Sequence, residues 1–151
     1  MSILVTGGLG HLGSWVCHEL LQQGTRVIAT GHSFRNLDYL SEYQDRIEFY
    51  PLEILDFAGI CRLLKENSGE LEGVIHIAGL MGGPFFATNP HHHIQINTMG
   101  TVNMLEACRL FDIERFVYIS SGSVYGRRID IPLESDPVNP GALYSAAKSS
   151  C

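Results

Sequence analysis

One short segment near the start of the chain limits its possible fold more than any other. Three glycines are spaced three residues apart, at Gly7, Gly10 and Gly13. They follow the apolar run Ile3–Val5 and overlap the start of an apolar-periodic stretch, His11–Gln23. The pattern predicts a strand, a tight turn and a helix in immediate succession. Glycines at these positions let the chain turn sharply and let the helix pack closely on the strand.

The same turn predicts a binding site for phosphate groups. The first N–H groups of a helix lack partners within the helix and carry a partial positive charge, which favours an anion at that end. Glycines also let the backbone come close to a pyrophosphate. We therefore expect Gly7–Gly13, including His11 and Leu12, to bind a dinucleotide; the alternative is an ordinary glycine-rich turn.

Strands and helices are predicted to alternate along the rest of the chain. The predicted strands are Ile3–Val5, Arg26–Thr30, Arg46–Tyr50, Gly73–Ala78 and Arg115–Ser120, and the predicted helices are His11–Gln23, Phe57–Asn67, Ile94–Phe111 and a last one that starts at Asn139-Pro140. Apolar runs, rather than apolar–polar alternation, indicate a parallel sheet covered on both faces. The predicted fold class is α/β, a doubly wound, Rossmann-like sheet of about five strands in one domain, residues 1–151.

Composition excludes several classes of protein. Hydrophobic residues make up 45% of the chain and charged residues 17%, which is typical of neither a disordered nor a fibrous protein. The formal net charge of −6 argues against nucleic acid or an anionic membrane surface as the main partner. The apolar runs are too short to span a bilayer and the first residues lack a signal-peptide pattern, so we expect a cytoplasmic protein.

Metal binding is not expected. The four cysteines are scattered and are interpreted as reduced thiols. The triplet His91–His93 is interpreted as the polar start of a helix, because adjacent helical residues point in different directions and do not converge on one ion.

A second informative pattern lies near the end of the sequence. The segment Ser120–Gly126 follows the fifth predicted strand, and Tyr144 and Lys148 come later on one face of a helix. An ammonium at roughly 4 Å, in an effective dielectric of about 20, stabilises a phenolate by on the order of 4 kcal/mol. That makes a tyrosine usable as an acid or base near neutral pH. Taken alone, the pair has another interpretation, as an exposed helical pair.

Taken together, these motifs resemble the extended short-chain dehydrogenase/reductase family, of the NAD-dependent epimerase/dehydratase type. The resemblance covers the whole chain and includes the order of the glycine turn, the serine-rich segment and the tyrosine–lysine pair. It implies that Tyr144 is the general acid/base and that Lys148 assists it and binds the nicotinamide ribose. It further implies that Ser123 bonds the reacting oxygen and that Asn97 supports the proton path.

Other cofactor contacts are implied by the same resemblance. Glu53, with Ile54 beside it, is expected to face the adenine, although the family usually has Asp at the position of Glu53. Ala78 and Gly79 are expected to line the nicotinamide side.

The choice between NAD and NADP depends on the end of the second strand. NAD sites usually place a carboxylate there, and this sequence has none at Gly31. Ser33 and Arg35 follow, and an arginine suits a 2′-phosphate. NADP is therefore slightly favoured over NAD; the alternative is that Arg35 points to solvent.

The resemblance implies an epimerase, dehydratase or oxidoreductase that transfers a hydride at a secondary alcohol or ketone. The expected substrate is a small molecule, in particular a sugar nucleotide, and the expected assembly is a homodimer or another self-associated form. Extended family members are longer than this chain and add a substrate domain. The sequence therefore leaves a second hypothesis open, a C-terminally truncated and catalytically silent fragment that binds nucleotide.

Overall fold

The computed structural model describes residues 1–32, 38–43, 45–81 and 89–151, with the backbone alone at Tyr39. The chain divides into two compact units, one made of residues 1–78 and 103–119 and the other of residues 79–102 and 120–151. The single-domain assignment stays a prediction.

The first unit contains a five-stranded parallel sheet with the strand order β3-β2-β1-β4-β5. The strands are β1 Ser2–Thr6, β2 Arg26–Gly31, β3 Ile47–Pro51, β4 Leu71–His76 and β5 Arg115–Tyr118. Each predicted strand is present, with ends that shift by one or two residues, and the doubly wound α/β fold class is confirmed.

The central strand shows why the apolar runs are continuous. Leu4 and Val5 are adjacent and point to opposite faces of the sheet, yet both side chains are buried. Leu4 is in register with Ile28 on one side and Val74 on the other, which places buried residues across three strands. A sheet buried on both faces needs apolar residues at successive positions.

Five α-helices are described, α1 His11–Gln22, α2 Phe57–Asn67, α3 Pro90–Ile94, α4 Gly100–Leu110 and α5 Leu143–Ser149. In α1, Cys17 and Leu21 are buried in a cluster with Val5, Val27 and other residues of the sheet. That burial follows the predicted apolar periodicity of the helix.

The predicted long helix Ile94–Phe111 is wrong at its start and in its continuity. The structure begins with α3, where the Asn89 side chain caps the helix by accepting a hydrogen bond from the His92 N–H at 3.1 Å. A π-helical turn, Gln95–Met99, then separates α3 from α4. A capping side chain followed by a first-turn proline is the local signal that moves the start to Pro90.

The predicted start of the last helix at Asn139-Pro140 is also wrong, because α5 begins at Leu143. The Asn139 N–H donates instead to the Val124 carbonyl at 2.8 Å, which commits this backbone to a neighbouring turn. At the start of α5, the Ala142 N–H donates to the Ser145 hydroxyl at 3.1 Å.

None of the helices in the described ranges combines the length and apolar composition that a bilayer-spanning helix requires.

Candidate functional site

The glycine turn joins β1 to α1 and depends on backbone that side chains would obstruct. Gly7 has φ +66°, a left-handed conformation that favours glycine, and a Cβ there would lie 3.1 Å from the Ala78 nitrogen. The Gly10 N–H closes the turn on the Gly7 carbonyl at 2.9 Å. The turn is therefore narrow because its backbone atoms approach each other directly.

Two more glycines let the helix approach the strand. A Cβ at Gly13 would collide with the Gly7 carbonyl and lie 2.8 Å from the Gly8 Cα. A Cβ at Gly8 would lie 2.8 Å from the Ala29 Cβ, and the Gly8 N–H donates to the Thr30 carbonyl at 3.0 Å. Gly8 was not singled out from the sequence; its signal was a second glycine directly beside Gly7.

The open end of this turn fits a pyrophosphate. Helix α1 begins at His11, so the N–H groups of its first turn lack partners within the helix. That first turn, which the structure describes in full, contains no acidic residue, and His11 and Leu12 are exposed. Among the described residues, a Cβ at Gly10 would meet one atom within 4 Å, the Gly7 oxygen. The backbone here is accessible to an anion and bears no charge that would repel one.

A buried hydrogen-bonded pair fixes the carboxyl ends of β1 and β4. The Thr6 hydroxyl accepts from the N–H groups of Ile77 and Ala78, both at 3.1 Å, and lies 2.8 Å from Nδ1 of the buried His76. A hydroxyl that accepts twice has its proton left to donate, so Thr6 donates to Nδ1 and the neutral His76 ring carries its proton on Nε2.

This pair matters because the strand order changes direction between β1 and β4. Open α/β sheets bind ligands outside the carboxyl ends of their strands at such a point. Ala78, predicted to line the nicotinamide, is therefore held at the position where the fold predicts a ligand. Neither Thr6 nor His76 was singled out from the sequence.

The ends of β2 and β3 carry the groups predicted for the adenosine. Strand β2 ends at Gly31, with no carboxylate there. Glu53 is exposed and its carboxylate lies 3.2 Å from Nδ1 of His32, whereas Ile54 is buried. Ser33 and Arg35 lie outside the described residues.

In the second unit, Asn97 holds the segment that contains Gly79. Its Oδ1 accepts from the Leu80 N–H at 2.9 Å, and its Nδ2 donates to the Leu80 carbonyl at 3.0 Å. A Cβ at Gly79 would lie 2.6 Å from the same Oδ1, so the close approach requires glycine. Asn97 itself is buried within the π-helical turn, a feature common at functional sites.

Helix α5 carries the predicted tyrosine–lysine pair. Lys148 is 6% exposed, and its ammonium nitrogen would lie 3.7 Å from a Cβ at Gly79. Burial lowers the pKa of Lys148 below its ordinary value, with an opposing contribution from Cys151. Tyr144 is half-buried, one helical turn before Lys148.

His93 and Ser123 also lie in this unit, the first buried and the second exposed. His93 is 2% exposed, and its ring meets the Tyr144 ring edge to face, with centroids 6.0 Å apart. Ser123 lies on an exposed 3₁₀ turn, where its hydroxyl is 2.9 Å from that of Ser121. The structure thus brings Asn97 and Lys148 together at Gly79, joins Tyr144 to His93, and places Ser123 beside Ser121. The adjacent His91 and His92 are exposed, as expected for neighbours that point in different directions.

Comparison with known proteins identifies the family. Residues 3–151 match the model of the NAD dependent epimerase/dehydratase family. A UDP-glucose 4-epimerase from Bacillus subtilis (strain 168) is 33% identical over 154 residues, which cover 98% of this chain and 45% of that protein. One from Mus musculus is 33% identical over 158 residues, which cover 97% of this chain and 45% of that protein. The chain spans about half the length of these curated relatives.

Solved structures agree. The UDP-glucose 4-epimerase of Thermotoga maritima, determined with UDP-glucose, superimposes with a TM-score of 0.86 at 28% identity, covering 99% of this chain and 48% of that one. The enzyme of Thermus thermophilus, in complex with NAD, gives a TM-score of 0.86 at 27% identity with the same coverage. The motifs, the fold and these similarities lead to one conclusion: the chain belongs to the NAD-dependent epimerase/dehydratase family.

Proposed function

We propose that this chain is the dinucleotide-binding part of a nicotinamide-dependent epimerase, dehydratase or oxidoreductase that acts on a secondary alcohol or ketone of a sugar nucleotide. Family membership supports the reaction class, and relatives named UDP-glucose 4-epimerase support the substrate class. The observation that carries the proposal is the burial of Lys148 on the helix that also presents Tyr144. A buried ammonium at this spacing has a chemical use that an exposed helical pair lacks.

The chemistry follows from the side chains of the second unit. A bound nicotinamide supplies a reversible hydride acceptor. Tyr144 takes the proton of the alcohol as the hydride leaves and returns it in the reverse step. Lys148 stabilises the phenolate form of Tyr144 and binds the ribose, while Ser123 donates to the reacting oxygen. Asn97 supports the proton path by holding the Leu80 backbone in place.

The first unit binds the cofactor in this proposal. The backbone N–H groups of the turn Gly7–Gly13, together with the positive end of α1, bind the pyrophosphate. In this unit we assign Glu53 and Ile54 to the adenine and Ala78 to the nicotinamide. We assign Gly79, the first residue of the second unit, to the nicotinamide as well. The narrow turn and the exposed start of α1, which has no acidic residue in its first turn, support this assignment.

The cofactor preference is a finer proposal, that NADP binds more tightly than NAD. It is supported by Gly31 at the position where NAD sites usually carry a carboxylate. Arg35→Ala should then weaken NADP binding, measured by calorimetry, far more than NAD binding. An equal loss for both cofactors, or a wild-type preference for NAD, would refute this preference and leave the family assignment intact.

The function is tested by turnover. We expect the purified chain to bind NAD or NADP. The enzyme of which it is the dinucleotide-binding part should convert UDP-sugars in a panel read by product analysis and nicotinamide absorbance. Tyr144→Phe should reduce the rate by roughly 10²–10⁴-fold with dinucleotide affinity retained, because it removes the acid/base proton. Tyr125→Phe, in the 3₁₀ turn, is the matched control and should keep the wild-type rate.

Two outcomes would contradict the proposal. Near-normal turnover of Tyr144→Phe would assign the acid/base role to another group. Dinucleotide binding without turnover of any UDP-sugar would favour the second hypothesis, a catalytically silent nucleotide-binding protein.

A further inference from the structure

His93 occupies a position between two residues of the proposed site. It lies on α3, is buried, and contacts Asn97 through a hydrogen bond and Tyr144 through an edge-to-face ring contact. Its exposed neighbours His91 and His92 share its chemistry but not its burial. Because His93 contacts two proposed active-site residues, its protonation state and its role both bear on the site.

The hydrogen bonds of the Asn97 amide determine the protonation of His93. Its oxygen faces the Leu80 N–H, which is a donor, so the two ends of the amide are not interchangeable. Its nitrogen carries two protons, of which one goes to the Leu80 carbonyl at 3.0 Å. The other points to Nδ1 of His93 at 2.9 Å, with Nε2 further away at 3.5 Å.

An amide nitrogen donates and does not accept, so Nδ1 of His93 must be the acceptor. The ring is therefore neutral, with its proton on Nε2. A proton on Nδ1 would set two donors against each other at 2.9 Å in a buried place, where an unmade hydrogen bond is costly. The bond pattern thus selects one tautomer of one charge state.

We propose that His93, in this tautomer, is a positioning residue that holds the Asn97 amide and the Tyr144 ring in their working orientation. The inference rests on the proposed function in that these two orientations matter for turnover. His93 does not touch the reacting atoms in this scheme; it acts by accepting from Asn97, which in turn fixes the Leu80 backbone, and by packing its ring against Tyr144.

The tautomer is tested first, on the wild-type chain. With ¹⁵N-labelled histidine, we expect the His93 signals of an unprotonated Nδ1 and a protonated Nε2, assigned by their absence in His93→Gln. The Asn97 side-chain NH₂ signals should be sharp and slow to exchange with solvent. A proton on Nδ1 of His93, or a charged ring at neutral pH, would overturn the proposal without requiring any variant to fold or any turnover.

Matched variants test whether His93 positions Asn97 and Tyr144. His93→Phe keeps a ring and removes the acceptor, and His93→Gln restores an acceptor one helical turn before Asn97. We expect His93→Phe to lower kcat by about 10- to 100-fold, the size expected for a misplaced catalytic group, with KM for the UDP-sugar and dinucleotide affinity nearly unchanged. His93→Gln should recover most of kcat, and His92→Phe should match the wild type.

The two proposals fail in different ways. Wild-type kcat in His93→Phe, or unchanged Asn97 NH₂ signals in that variant, would overturn the role of His93. A wild-type enzyme that shows the predicted tautomer and exchange behaviour, yet turns over no UDP-sugar, would count against the proposed function alone.

Discussion

The turn Gly7–Gly13 and the segment around Asn97 are both held tightly, by opposite means. In the turn, missing side chains let backbone touch backbone, and an added carbon at Gly13 would collide with the Gly7 carbonyl. Around Asn97, one buried amide satisfies the Leu80 N–H and carbonyl and reaches His93. The first region is therefore damaged by adding atoms and the second by removing them. This difference decides which substitutions separate folding from binding.

The largest effect is expected from Gly13→Ala. Its new methyl group would collide with backbone atoms of Gly7 and Gly8, so the backbone of the turn must shift to accept it. We expect a loss of about 3 kcal/mol in the free energy of unfolding, at the upper end of overpacking costs. Urea denaturation measures it. Gly141→Ala, where no atom of the described residues lies within 4 Å, is the control. Equal stability of the two variants would show that the turn tolerates side chains.

Removing atoms from the second region should cost somewhat less. Asn97→Ala leaves the Leu80 N–H and carbonyl without their side-chain partner, which should lower the free energy of unfolding by about 2 kcal/mol. Asn103→Ala, which loses one hydrogen bond to the Ile54 carbonyl at 3.2 Å, should lose about 1 kcal/mol or less. Urea denaturation of both compares them, and a larger loss for Asn103→Ala would reverse our ranking.

Gly10→Val should separate binding from folding within the turn. Among the described residues, a Cβ at Gly10 meets only the Gly7 oxygen within 4 Å, at 3.1 Å, so the fold should tolerate it far better than a Cβ at Gly13. The valine side chain would lie where we place the pyrophosphate, so dinucleotide affinity should fall by about tenfold, or ~1.4 kcal/mol. Calorimetry on the folded variant gives the answer. Unchanged affinity would refute the assignment of the turn to the pyrophosphate.

The smallest effect concerns pH. Because burial lowers the pKa of Lys148 below 10.5, the folded chain binds this proton less tightly than the unfolded chain does. Stability should therefore rise with pH between the folded-state pKa and 10.5, whereas below that window both states hold the proton. In Lys148→Met, urea denaturation across alkaline pH should lack this rise, and the exposed Lys65→Met should retain it. Parallel curves for wild type and Lys148→Met would contradict the prediction.

The parts of the site also differ in how far the sequence predicts them. Gly7 and Gly13 lie close together along the chain, so their spacing alone predicts a turn and a closely packed helix. The pair Tyr144 and Lys148 is likewise visible, because one helical turn links them. Thr6 and His76 are 70 positions apart, and no local pattern predicts that they meet.

Contacts between residues distant in sequence also explain the wrongly predicted start of the last helix. An asparagine followed by proline is a sound signal for a helix start, yet at Asn139 a hydrogen bond to the distant Val124 carbonyl takes its N–H elsewhere. At Asn89 the same dipeptide does begin a helix. We predicted a start at Asn139-Pro140 and not at Asn89-Pro90, although local chemistry favours a start at both dipeptides, and tertiary contacts decided which one occurs. The burial of His93 beside Tyr144 was hidden for the same reason.

The Thr6 hydroxyl has a consequence for the kinetics of solvent exchange. Strand β4 ends at His76, but the amide protons of Ile77 and Ala78 remain bound to Thr6 of a neighbouring strand. In deuterium oxide these two amides should exchange when the Thr6 hydroxyl releases them, so their protection reports how often the carboxyl ends of β1 and β4 separate. A serine at position 6 would keep the bonds but lose the methyl group that restricts the rotamer, whereas a valine would keep the shape and free both protons. Exchange at these two amides therefore reports the lifetime of the two hydrogen bonds to the Thr6 hydroxyl.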